Sequence, residues 1–110
     1  MDKEIYKLTD DIFASNLIHP GEMIKDEIEE RGITQKKLAE ETGISVTVLN
    51  EVLNGKRAVT VEYALLLEAA LGIDAEIWIR QQARYNKQKA LTDQSFIKRL
   101  SKVRQIASVL

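Results

Sequence analysis

Apolar residues recur along this chain at intervals of three and four, in short runs punctuated by glycine. That period is helical rather than extended. After His19-Pro20-Gly21-Glu22, Met23, Ile24 and Ile28 fall on one side while Lys25, Asp26, Glu29 and Glu30 point to water, and Arg31-Gly32 closes the run. Proline suits a first helical turn and Glu22 faces the positive end of the dipole, so a helix is predicted to begin there. A second begins with Thr34 as N-cap, carries Leu38 and Ala39 inward, and stops at Gly43. A third is capped by Ser45, repeats Leu49, Val52 and Leu53, and stops at Asn54-Gly55. Both caps are residue types whose oxygens accept from the first free N–H groups of a helix.

Thr60 caps a fourth helix with Ala64, Leu65, Leu67, Ala70 and Leu71. Being apolar almost all round, it is predicted to be a central element packed on several sides before Gly72 ends it. Asp74 caps a fifth, on which Ile77, Trp78, Gln81 and Tyr85 share a face and the charge turns basic. Thr92-Asp93 starts a sixth over Phe96 to Leu110, whose stripe of Phe96, Leu100, Val103, Ala107 and Leu110 steps by four and three. That stripe must be covered by its own core, a twin subunit or another protein, since two heptads are marginal alone. Residues 1 to 18, with Ile5, Leu8, Ile12, Phe13, Leu17 and Ile18, form an extra helix or a docking arm. The chain is therefore expected to be all-α, divided as 1–18, a core domain over 19–89, and a C-terminal amphipathic helix over 90–110.

Composition narrows the class. With 45% apolar and 30% charged residues over 110 positions, one modest core is affordable. The absence of cysteine excludes disulfides and thiolate metal sites and fits a reducing cytoplasm. The acidic start MDKEIYKLTDD lacks the basic flank and apolar run of a signal peptide, so no export is expected. Ala64 to Ile73, the most apolar stretch, is broken by Glu68 and is about half of the ~20 residues a membrane crossing needs. No membrane partner is expected. A net charge of −1 conceals an acidic beginning, three bases against nine acids up to Glu30, and a basic end, eight bases against Asp93 from Arg80 on.

Enzyme chemistry finds little support. His19 is the only histidine and stands beside Pro20 as a helix-start residue rather than a base or ligand. Glu22, Asp26, Glu29 and Glu30 cluster on an exposed helical side, where solvation is their simplest role. There is no glycine-rich phosphate loop. No enzyme, cofactor or metal is expected.

The second and third helices span about two turns each, too short to persist without packing, and the glycine turn lets one cross the other steeply. That is helix-turn-helix geometry. Ala39 permits close approach, and Ile44 and Leu49 supply apolar contacts. The third helix then presents Val46, Thr47, Asn50 and Asn54 outward, short uncharged side chains that can touch base edges in a major groove. Thr34 and Gln35 lie at a helix N-terminus, where backbone and side-chain donors grip phosphate, and Lys36, Lys37, Lys56 and Arg57 add charge on the flanks.

HPGEMIKDEIEERGITQKKLAEETGIS, followed by VLNGKRAVT and ALGIDAEIWIRQQARY, resembles the HigA-type antitoxins, a branch of the lambda-repressor-like (XRE) helix-turn-helix proteins. The resemblance covers roughly His19 to Tyr85. It implies a lambda-repressor-like five-helix domain; the additional C-terminal helix and the N-terminal arm or helix extend beyond the shared block. It also implies a homodimer that binds double-stranded operator DNA, represses its own operon, and neutralises a RelE-like HigB toxin that cleaves messenger RNA on the ribosome. Matched position by position, it makes Gln35, Ser45, Thr47, Asn50, Asn54 and Lys56 the DNA contacts. Two departures stand out: Val48 where the family often has a basic residue, and Ser45-Val46 where Pro-Pro or Ser-Pro is frequent. Fewer charges in the reading helix imply a shallower salt dependence and more reliance on the dimer. Two other functions share the pattern, a regulator with no toxin and a protein-interaction module that no longer binds DNA.

Overall fold

The computed structural model describes residues 17–109, and among these every regular element is helical. The elements are α1 (Pro20–Arg31), α2 (Gln35–Thr42), α3 (Val46–Leu53), α4 (Val61–Leu71), α5 (Ala75–Thr92) and α6 (Gln94–Ser108). The arm or helix expected over 1–18 lies outside the described residues apart from Leu17 and Ile18.

Each start follows from a side-chain acceptor. His19 Nδ1 accepts from Gly21 N at 2.9 Å, Thr34 Oγ1 from Lys37 N, Ser45 Oγ from Val48 N, Thr60 Oγ1 from Tyr63 N, and Asp74 Oδ1 from Glu76 N. These bonds satisfy N–H groups that a helix cannot pair internally. His19 is therefore a cap; its ring is buried and meets Tyr85 edge-on at 4.9 Å.

One compact unit spans Ile18–Tyr85. Its core joins Ile24 and Ile28 of α1, Leu38 and Ala39 of α2, Leu49, Val52 and Leu53 of α3, Ala64, Leu67 and Leu71 of α4, and Ala75 and Trp78 of α5. α3 packs against both α1 and α2, and α2 also meets α4. The approach of α1 to α3 is set by Gly21: a Cβ built there would overlap the carbonyl oxygen of Val52. Polar ties complete the unit. Arg31 Nη1 donates to Leu71 O at 2.7 Å, the Glu68 carboxylate accepts from Ala75 N at 2.6 Å, and the buried Gln82 Oε1 accepts from Val59 N at 2.8 Å.

Three expectations require correction. α4 is not enclosed: Ala64, Leu67 and Leu71 are buried, whereas Val61, Leu65 and Leu66 are 56%, 52% and 39% exposed, because only one side of the helix faces this core. On α5 the inward side is Ala75, Trp78 and Gln82; Ile77 is exposed and Gln81 half-buried, its amide reaching Ile18 O. The helix is turned inward at Gln82 because a glutamine amide is needed to satisfy the buried Val59 N–H, and a search for apolar periodicity passes over such a residue. Lys25, assigned to solvent, is half-buried and donates to Asn54 Oδ1 at 3.1 Å.

The second unit contains the end of α5 from Asn86 and all of α6. Asp93 caps α6, and bonds from the Ser95 hydroxyl and then the Phe96 amide hold its carboxyl below the ordinary value. No residue of α6 is buried, and Phe96, Val103 and Ile106 are exposed.

Two substitutions test this packing. Leu49→Ala should cost about 2–5 kcal/mol in urea unfolding, as expected for a wholly buried leucine; an unchanged midpoint would mean the phase of α3 is wrong. Gly21→Ala should cost about 1–3 kcal/mol, because the added methyl forces α1 away from Val52 O. The same curve at wild-type stability would show that α1 can retreat freely.

Candidate nucleic-acid interface

The turn between α2 and α3 is built from three small devices. Gly43 takes φ 76°, a left-handed conformation that glycine adopts without strain, and its N–H closes α2 on Ala39 O at 2.9 Å. The Thr42 hydroxyl donates to Leu38 O and accepts from Ile44 N, so the polar groups of the bend are satisfied. Ile44 is buried beneath it. With Leu49, Val52 and Leu53 also buried, the rotation of α3 is determined and its other side must face out.

That outward side carries Ser45, Val46, Thr47, Asn50 and Asn54, all exposed, with Val46 at 50%. Thr34 is exposed and Gln35 half-buried at the start of α2. Gln35 and Asn50 are brought together across the turn, Asn50 Nδ2 donating to Gln35 Oε1 at 3.0 Å. Asn54 Nδ2 donates to the backbone oxygen and Oδ1 of Asn50 at 2.9 and 3.2 Å. Thr34 and Ser45 use their oxygens as caps and retain a hydroxyl proton to donate.

The charged flank is thinner than its residue count suggests. Arg57 is gripped by Glu51 through Nε at 2.9 Å and Nη2 at 2.8 Å, whereas Lys36, Lys37 and Lys56 are exposed and make no ion pair among the described residues. Val48 is half-buried against the core, so a valine there completes packing instead of meeting phosphate. Lys25 is the residue that sequence reasoning missed; its contact with Asn54 joins positions 29 apart, and no local spacing signals it. Among the described residues no group of three metal-ligating side chains occurs, and no helix is long and apolar enough to cross a membrane.

A short helix clamped by its apolar side, with neutral polar side chains outward across a glycine turn, defines a DNA-binding helix-turn-helix domain of the lambda-repressor-like architecture. The chain belongs to the XRE-type helix-turn-helix family HTH_3, whose model matches residues 24–78, and its relatives include HigA antitoxins. Antitoxin HigA-1 of Vibrio cholerae is 41% identical over 63 residues, 56% of this chain and 59% of that protein. The structure of an addiction module antidote protein of a HigA family from Coxiella burnetii has TM-score 0.69 and 30% identity, covering 78% of this chain and 92% of that one. A Pseudomonas aeruginosa protein solved in complex with its 28-base-pair operator DNA has TM-score 0.64 and 28% identity, covering 67% of this chain and 82% of that one. Such relatives are antitoxins and operator-binding proteins rather than enzymes.

Asn50→Ala should weaken binding to the cognate operator by about 1–3 kcal/mol while leaving the melting curve in place, since Asn50 is exposed. Equal operator affinity for both proteins would remove Asn50 from the reading face.

Proposed function

We propose that this protein is the antitoxin of a type II toxin-antitoxin module. It binds its operator as a homodimer, represses its own operon, and neutralises a RelE-like, messenger-RNA-cleaving HigB toxin by direct contact. The observation that carries the DNA part is the outward display of Thr47 and Asn50 on a helix whose opposite side, Leu49 and Leu53, is wholly buried. Kinship with a HigA antitoxin and with a protein bound to operator DNA supports it. Base edges fall to Val46, Thr47, Asn50 and Asn54; phosphate falls to Thr34, Gln35, Ser45 and Lys56, while Arg57 is held by Glu51. The 19–89 segment acts as the DNA-binding domain, and the exposed Phe96, Val103 and Ile106 of α6 suit a protein partner.

The exposed stripe Val61, Leu65 and Leu66 on α4 suits a twin subunit, because a large apolar row at helical spacing gains by being covered. Dimerisation also compensates a reading helix with no basic side chain, since two weak half-sites add their free energies.

Titration against the promoter of its own operon tests the reading. Affinity should fall as salt rises, with the modest slope of a reading helix that carries no basic side chain, and footprinting should show two half-sites about one helical turn apart. Co-expression with a RelE-like HigB toxin should restore growth to cells that the toxin alone arrests. Operator binding without growth rescue leaves a regulator with no toxin, while growth rescue without operator binding leaves a protein-interaction module; either outcome rejects the combined function.

A further inference from the structure

We propose that Lys25 is a positioning residue for operator reading: it sets the direction in which the amides of Asn54, Asn50 and Gln35 point, and thereby the hydrogen-bonding groups that α3 offers to a base. The inference rests on α3 being the DNA-reading helix. A lysine ammonium only donates. Its 3.1 Å bond to Asn54 therefore requires the oxygen of that amide, which turns Asn54 Nδ2 toward Asn50. Asn50 must answer with Oδ1, at 3.2 Å, and this turns its own Nδ2 to Gln35 Oε1 at 3.0 Å. One cation on α1 thus polarises three amides in series across α3 and onto α2.

Each amide is ambiguous by itself, since its oxygen and nitrogen ends have nearly the same shape. Asn54 is fixed from both sides, its oxygen by the donor-only Lys25 and its nitrogen by the acceptor-only backbone oxygen of Asn50 at 2.9 Å, and that orientation is passed on to Asn50 and Gln35. Asn50 is left with one Nδ2 hydrogen and one Oδ1 lone pair, the complement of adenine N7 and N6 in the major groove. Gln35 Nε2 makes no hydrogen bond to the described residues and is left as a pure donor, suited to a phosphate oxygen or to guanine O6 and N7. Adenine opposite Asn50 is the preferred base.

Lys25→Met and Lys25→Arg, compared with the intact chain, test the relay in two ways. In the free protein, the side-chain amide signals of Asn54, Asn50 and Gln35 should all move in Lys25→Met and return toward wild type in Lys25→Arg, which keeps a donor-only group. On operator duplexes carrying each base in turn opposite Asn50, the wild type should prefer adenine by roughly 5- to 100-fold. Lys25→Met should lose most of that preference at an unchanged salt slope, and Lys25→Arg should keep it.

Amide signals indifferent to Lys25→Met, or an adenine preference that survives it, would overturn the relay. A slope lower by about one with preference intact would make Lys25 a phosphate contact and overturn it equally. A wild type that binds no operator sinks the DNA reading itself, an outcome distinct from these. If Lys25→Met does not fold, nuclear Overhauser contacts in the wild type decide: Asn54 δ2 protons against Asn50 support the relay, and the same protons against Lys25 refute it.

Discussion

The close seating of α1 on α3 governs this molecule. An eight-residue helix is far below the length that survives alone, so α3 exists only because Leu49, Val52 and Leu53 are buried under α1 and α2. Gly21 lets the α1 backbone come down to the Val52 carbonyl, and the His19 cap and Pro20 hold the first turn of α1 at that spot. Remove the close approach and the rotation of α3 is no longer determined. The same rotation decides whether Asn50 faces solvent or core, so fold and reading face share one cause.

Polar groups do as much as apolar ones in this small unit. Arg31 joins the end of α1 to the end of α4, Glu68 pins the start of α5, and Gln82 serves the buried Val59 amide. A charged group in such a bond contributes more than a neutral one, and a buried donor left unpaired costs about 1–3 kcal/mol. On the outer surface the logic differs. The exposed pair of Arg57 and Glu51 contributes little to stability, but it withdraws a guanidinium from the flank and leaves the reading surface chiefly neutral and amide-rich.

Local chemistry made the helices legible from the chain alone. Thr34, Ser45, Thr60, Asp74 and Asp93 all cap where a short polar acceptor precedes an apolar run, and Gly43 marks the turn. These signals act over three or four residues, the same range over which helix ends are satisfied. The burial of Leu49 and the exposure of Thr47 and Asn50 follow from period and phase, which a single helix encodes by itself.

What the sequence determined by itself is thus the set of helices, the buried side of α3 and the short polar residues opposite it. Only the tertiary structure decided that α4 leaves Val61, Leu65 and Leu66 in solvent, that Gln82 rather than Gln81 turns inward, and that Lys25 reaches Asn54. The physical reason is range. Burial of an apolar row depends on which neighbours the rest of the chain supplies, and a bond between residues 29 or 23 apart leaves no periodic trace in either partner's surroundings.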